Sequence, residues 1–123
     1  MVHNYKTVKD NGIRTTFSTG ALREVISEKG RYDLLPPIAI KRLAVHFANG
    51  AKKYADRNWE KGMPLSRYMD SALRHLFQAL EGKEDEDHLI SSAWNLLCLV
   101  ETQERIELGI LPKELDDLPK VKK

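Results

Sequence analysis

Three long stretches of helical periodicity, closed off by proline and glycine at their joints, constrain this chain more than any other feature. Pro36-Pro37 opens the first. Proline is tolerated in a first helical turn because its missing N–H would have no intrahelical partner there. Ile38, Leu43, Ala44 and Phe47 give this helix an apolar face that runs to about Tyr54. Pro64 or Ser66 opens the second helix, about residues 65–81, with Leu65, Tyr68, Met69, Ala72, Leu76 and Ala79 on one side and Gly82 at its end. Asp85 or Asp87 caps the third, which runs to about Leu108 with Leu89, Ala93, Leu96, Leu97 and Val100 directed inward. Gly109 stops it and Pro112 follows. Ser18 is read as the cap of a short helix from about Thr19 to Ser27. No segment alternates as a strand would. The expected fold class is all-α, a small bundle of three long helices plus a short N-terminal one. Three helices bury a modest core, so completion by homo-oligomerisation is expected, through the apolar helix 87–108.

Around this core, residues 1–17 read as an extended or flexible arm with a turn at Asn11-Gly12. Residues 18–111 read as one helical domain, and the charged residues 112–123 as a loosely held tail. Gly50 lies inside the first helix, where glycine costs about 1 kcal/mol against alanine. A close approach to the backbone is the expected reason.

Composition narrows the function classes. The 123 residues suffice for one ordinary domain. A net charge of +2 lacks the basic footprint of bulk or sequence-specific nucleic-acid binding. A single cysteine, Cys98, excludes an intrachain disulfide and a thiolate metal cage, and reads as a core residue. No apolar run approaches a bilayer span, and the polar start MVHNYKTVKDNG has no signal-peptide core, so the expectation is a cytoplasmic protein without a membrane partner.

The chemistry-bearing residues concentrate between His46 and His75, at the junction of the first two long helices. The cations there suit phosphate and an indole suits a flat ring, which points to a nucleotide. On the second helix Arg67, Ser71, Arg74, His75 and Gln78 recur at spacings of three and four, hence on one broad face; His88, Ser91, Ser92 and Asn95 do the same on the third. Antiparallel pairing about Lys83 puts His75 opposite Ser92 and Ser71 near Asn95. Each feature also has a structural reading. His75 and His88 suit core or capping histidines, and Asn95 an interhelical hydrogen bond. Lys52 and Lys53 suit a cationic last turn, and Asp70 with Arg74 a helix ion pair. Trp59 either plugs the bundle end or stacks on a ligand. Glu84 to Asp87 suits a solvated helix start.

Three blocks in order, KGRYDLLPP (29–37), GAKKYADRNWEKG (50–62) and YMDSALRHLFQALEGKEDEDHLISSAWN (68–95), resemble a phage and bacterial family, dATP/dGTP diphosphohydrolase, N-terminal. The resemblance covers about residues 14–115. That family is grouped with the MazG-like all-α nucleotide pyrophosphohydrolases. The resemblance implies an oligomeric helical protein that hydrolyses purine deoxynucleoside triphosphates between the α and β phosphates with Mg²⁺, giving a monophosphate and pyrophosphate. MazG-like enzymes hold Mg²⁺ with E-x-x-E on one helix and E-x-x-D on the next, and this chain departs from that pattern. The helix 36–54 has no carboxylate. The formal matches (Glu81 with Glu84, Glu101 with Glu104, Glu114 with Asp117) stand in poor context.

Two functions follow. As an enzyme, the chain would clamp phosphates with Lys53, Arg57, Arg67 and Arg74, stack Trp59 or Tyr54 on the purine, and read a base edge with Asn58 or Asn95. Asp70, Asp85 and Asp87 would hold Mg²⁺, and His75 or His88 would orient the attacking water. As a binding protein without turnover, needing no cofactor, it would use the same cations and Trp59 to sequester a nucleotide or a cyclic-nucleotide signal.

Overall fold

The computed structural model describes residues 10, 12–24 and 29–121. The chain divides into two compact units, residues 1–35 and 36–123, so the division falls just ahead of the first long helix and not at residue 18.

In the first unit, Arg14–Thr16 (β1) pairs antiparallel with Leu22–Glu24 (β2), Arg14 opposite Glu24 and Thr16 opposite Leu22. This corrects the expected helix 19–27. β-branched Thr15 and Thr16 favour extended backbone. Gly20, at φ 87°, takes the left-handed conformation that closes the hairpin, and Phe17 N–H donates to the Ala21 carbonyl at 2.9 Å. Residues 25–27 of that expected helix, Asn11 of the turn signal and the arm before residue 10 lie outside the described residues.

The second unit is helical: Pro37–Lys53 (α1), Leu65–Leu80 (α2) and His88–Glu107 (α3). Pro37 stands in the first turn of α1, and Lys52 and Lys53 in its last, where cations complement the helix dipole. α2 and α3 form a hairpin that turns at Gly82, φ 79°. Asp87 caps α3 by accepting the Ile90 N–H at 3.2 Å. Leu65, Tyr68, Cys98 and Leu99 make the buried core, with Phe47 of α1 packed against it. Phe47 meets Trp94 and Trp59 edge-on, with ring centroids 5.9 and 6.4 Å apart. No helix among the described residues is long and apolar enough to cross a membrane.

Three expectations change here. The inward face of α3 is not the leucine stripe. It is His88, Ser91, Ser92, Asn95, Cys98, Leu99 and Thr102, whereas Leu89, Leu96, Leu97 and Val100 are exposed. The polar face tolerates burial because its groups are satisfied. Ser92 Oγ donates to the Ala72 carbonyl of α2 at 2.9 Å, Asn95 Nδ2 to the Ser91 carbonyl at 2.8 Å, and Thr102 Oγ1 to the Cys98 carbonyl at 2.7 Å. The tail is docked, not loose: Leu118 packs on the core, and Asp117 accepts both the N–H and the hydroxyl of Ser66 at the start of α2. At Gly50 an added Cβ would meet nothing within 4 Å. The close approach is at Gly62 instead, where a Cβ would sit 2.9 Å from Leu115 Cδ1.

Candidate functional site

The α2–α3 turn carries the chemistry. α2 delivers His75 from its last turns, and α3 opens on His88, directly after an acidic run. The hairpin brings the two imidazoles together, His75 Nδ1 2.9 Å from His88 Nδ1. The register differs from the expected one: His75 faces His88, not Ser92, and Ser92 faces Ala72. The other ring nitrogen of His88, Nε2, lies 2.8 Å from Asp85 Oδ1.

These contacts constrain the protons. The His88 hydrogen bond holds the Asp85 carboxyl below the usual carboxylate range, so Asp85 is an acceptor. His88 Nε2 therefore carries the hydrogen. A neutral His88 then turns the lone pair of Nδ1 toward His75. Burial pushes the His75 imidazole below its ordinary range; Glu86 opposes this, and Arg74 adds to it. His88 is only 2% exposed and has both ring nitrogens partnered, which is what a buried imidazole requires.

Beside His88 lies an open groove of about 530 Å³, lined by Arg42 from α1, Ala79 and Gly82 from the end of α2, Lys83, Glu84, Glu86 and Asp87 from the turn, and His88 and Leu89. This volume lies within the usual range for small-ligand sites. Arg42 spends Nε and Nη2 on a two-pronged pair with Asp87 and leaves Nη1 free of that pair. The pairing holds the Asp87 carboxyl below its usual range and ties α1 to the start of α3.

Of the residues singled out in the sequence, the structure brings together His75, His88 and Asp85. Asp87 stands beside them, engaged by Arg42. The rest lie elsewhere. Asp70 pairs with Arg74 at 3.1 Å on an exposed face of α2, and Arg67 is exposed. Lys53 lies over the Tyr54 ring, 5.2 Å from its centroid. Arg57 pairs with Glu60 at 2.8 Å and adopts a left-handed φ of 56°. Asn58 and Trp59 fall in a 3-10 turn, Asn58–Lys61. Trp59 packs on the core with Arg105 5.3 Å above its ring, which is the plug of the two readings. Asn95 is buried and satisfied within its own helix. None of Lys53, Tyr54, Arg57, Asn58, Trp59, Arg67, Arg74 or Asn95 lines the groove.

Arg42, Lys83 and Glu86 line the groove but are not among the site candidates that the sequence offers. Arg42 carried no signal, because its pairing with Asp87 spans 45 positions. Glu86 did carry one: it sits two residues before a histidine, in a turn that folds that histidine back on another.

Asp70, Asp85 and Asp87, the expected magnesium ligands, do not fall in one cluster among the described residues. Mg²⁺ wants near-octahedral oxygen ligands. Asp70 is committed to Arg74, Asp85 to His88 and Asp87 to Arg42. Among the described residues, the only group of three or more His, Cys, Asp or Glu with ligand atoms all within 4.8 Å of one another is His75, Glu86 and His88. Two imidazoles and one carboxylate are a poor match to an oxygen-seeking ion.

Compared with known proteins, residues 19–109 match the family model described as dATP/dGTP diphosphohydrolase, N-terminal. Neither a curated protein nor a solved structure matches the chain.

Proposed function

Because the chain belongs to the dATP/dGTP diphosphohydrolase, N-terminal family, we propose that it hydrolyses purine deoxynucleoside triphosphates to monophosphate and pyrophosphate, in the groove at the α2–α3 turn. The family match carries the substrate class. The single observation that supports the location is the Asp85–His88–His75 series, whose central His88 lines a groove that also holds two cations.

The residues divide the work as follows. Arg42 Nη1 and Lys83 receive the polyphosphate, the charge that a leaving pyrophosphate needs stabilised. Asp85 accepts from His88 Nε2–H and fixes its orientation. His88 Nδ1 accepts from His75 Nδ1–H, and His75 Nε2 is left as the lone pair that takes the proton of the attacking water. Burial holds the half-buried His75 below its ordinary range, which suits that role, since a base must be unprotonated to act.

One observation favours sequestration without turnover as the second reading. Asp70 and Asp87 are each neutralised by an arginine, which leaves no carboxylate cage of the MazG kind. The experiment separates the two. Purified protein is incubated with dATP and dGTP, with and without divalent cations, and the products are resolved by chromatography. Formation of dAMP or dGMP with pyrophosphate is expected, with kcat lowered about 10²-fold or more in His75→Gln. Tight binding with quantitative recovery of intact nucleotide replaces the enzyme by the sequestering protein. Release of inorganic phosphate or triphosphate in place of pyrophosphate overturns the bond assignment.

A further inference from the structure

We propose that His75, Glu86 and His88 form a binding site for a borderline divalent transition ion, with Zn²⁺ as its best fit, in place of a magnesium site. The proposal goes beyond the nucleotide reading and stands on geometry that does not depend on it. One ligand atom from each of the three residues lies within 4.8 Å of the others. The two Nδ1 atoms are 2.9 Å apart. Two imidazole nitrogens bound at about 2.1 Å to one ion stand roughly 3.0 Å apart at a right angle and about 3.4 Å apart at a tetrahedral angle. The observed separation is near the right-angle figure and about 0.5 Å short of the tetrahedral one, so an ion would spread and turn the two rings by about half an ångström. Two imidazoles and one carboxylate, with positions left open toward a groove, form a donor set used by catalytic zinc and other first-row ions.

The surroundings are those of a ligand and not of a stray histidine pair. Asp85 Oδ1 sits on the far nitrogen of His88 at 2.8 Å. This carboxylate–histidine contact fixes the tautomer that leaves Nδ1 free to bind an ion. The His88 ring is buried and held by α3, and the Nδ1 to be shared comes from α2, so an ion there would also join the two helices of the hairpin. Glu86 lines the groove with His88, so the third ligand enters from the solvent side and the site has an access path. Once an ion is bound, both Nδ1 lone pairs are committed to it. His75 would then carry its hydrogen on Nε2, and the ion would supply the activation of water that His75 supplies in its absence.

The test uses the full chain stripped with a chelator and contains no nucleotide. Zn²⁺ is titrated by calorimetry, Co²⁺ is added separately for its visible absorption, and Mg²⁺ serves as competitor. The expected result is about one Zn²⁺ per chain, a Co²⁺ band that Zn²⁺ abolishes, and little displacement by a large excess of Mg²⁺. His75→Gln removes the band, Glu86→Gln weakens Zn²⁺ at least about tenfold, and Asp85→Asn weakens it about 10- to 100-fold. Circular dichroism checks helicity; if His75→Gln fails to fold, the groove-lining Glu86→Gln decides. Absence of saturable Zn²⁺ binding, unchanged affinity in a folded Glu86→Gln, or equal competition by Mg²⁺ overturns the site. Zn²⁺ binding without nucleotide turnover keeps the site and removes the enzyme reading; turnover without Zn²⁺ binding does the reverse.

Discussion

The Cys98 thiol is 2% exposed, and burial pushes its pKa up to about 12. At neutral pH almost none of it is thiolate, the form that reacts. Iodoacetamide is expected to leave Cys98 unmodified in the native chain and to label it fully once denaturant exposes it; mass spectrometry reads the difference, and rapid native labelling would contradict the burial. That core role was legible, since a lone cysteine within AWNLLCLV has apolar neighbours on both sides. The same cue failed for Trp59. An indole in a polar loop looked equally suited to a ligand and to a plug, and Phe47 and Arg105 decide for the plug. Neither is near it in sequence. His75 and His88 were visible as candidates because of their residue type, and their contact depended on a register that spacing alone left one turn out.

α2 shows what an element owes to its surroundings. It begins on Pro64 with no side-chain cap of its own, and its cap comes from Asp117, 51 positions beyond Ser66. A carboxylate at a helix N-terminus also complements the dipole. The two Ser66 donors hold the Asp117 carboxyl below its ordinary 3.8. A depressed folded pKa means that the contribution is fully present above the unfolded value and is lost as pH falls through the folded one. Asp117→Asn is therefore expected to lower the thermal midpoint at neutral pH, and the gap to the unmodified chain to close as pH drops below 3.8. A gap independent of pH would mean that the charge does nothing there. The same docking explains Gly62. Its φ is 86°, and a Cβ would press on Leu111 and on Leu115 of the tail. Gly62→Ala is expected to destabilise by more than about 1 kcal/mol in denaturant titration, whereas Gly50→Ala, helical with open space around it, is expected to stabilise by about 0.4–1 kcal/mol. Helix starts and stops were readable from proline, glycine and Asp87 because those signals are local. The cap on α2 and the strand pair β1–β2 were not, the first because it is distant and the second because three-residue strands are too short to show alternation.

At the scale of the whole molecule, the helical hairpin buries a largely small and polar face of α3 against Leu65, Tyr68 and Ala72 of α2 and leaves other leucines outside. Leu73, Leu76, Phe77 and Leu80 recur at helical spacing along α2, and Leu89, Leu96, Leu97 and Val100 along α3, all exposed. An apolar stripe on each of two adjacent helices is more than a monomer ordinarily leaves in water. A second copy of the chain is the occupant expected from the small core. Sedimentation should give a mass at least twice the 14.1 kDa of one chain, reduced by Phe77→Glu or Leu97→Glu with helicity retained; a monomer at micromolar concentration would remove the expectation. What the sequence determined by itself was the number of long helices, their limits, and the residue types available for chemistry. Those follow from backbone sterics and a period of 3.6, which act within a few neighbours. The tertiary structure alone decided which face of α3 is buried, what caps α2, and that His75 meets His88 while Arg42 takes Asp87. These contacts join residues 13, 45 and 51 positions apart. Only packing can select among the registers that the same periodicity allows.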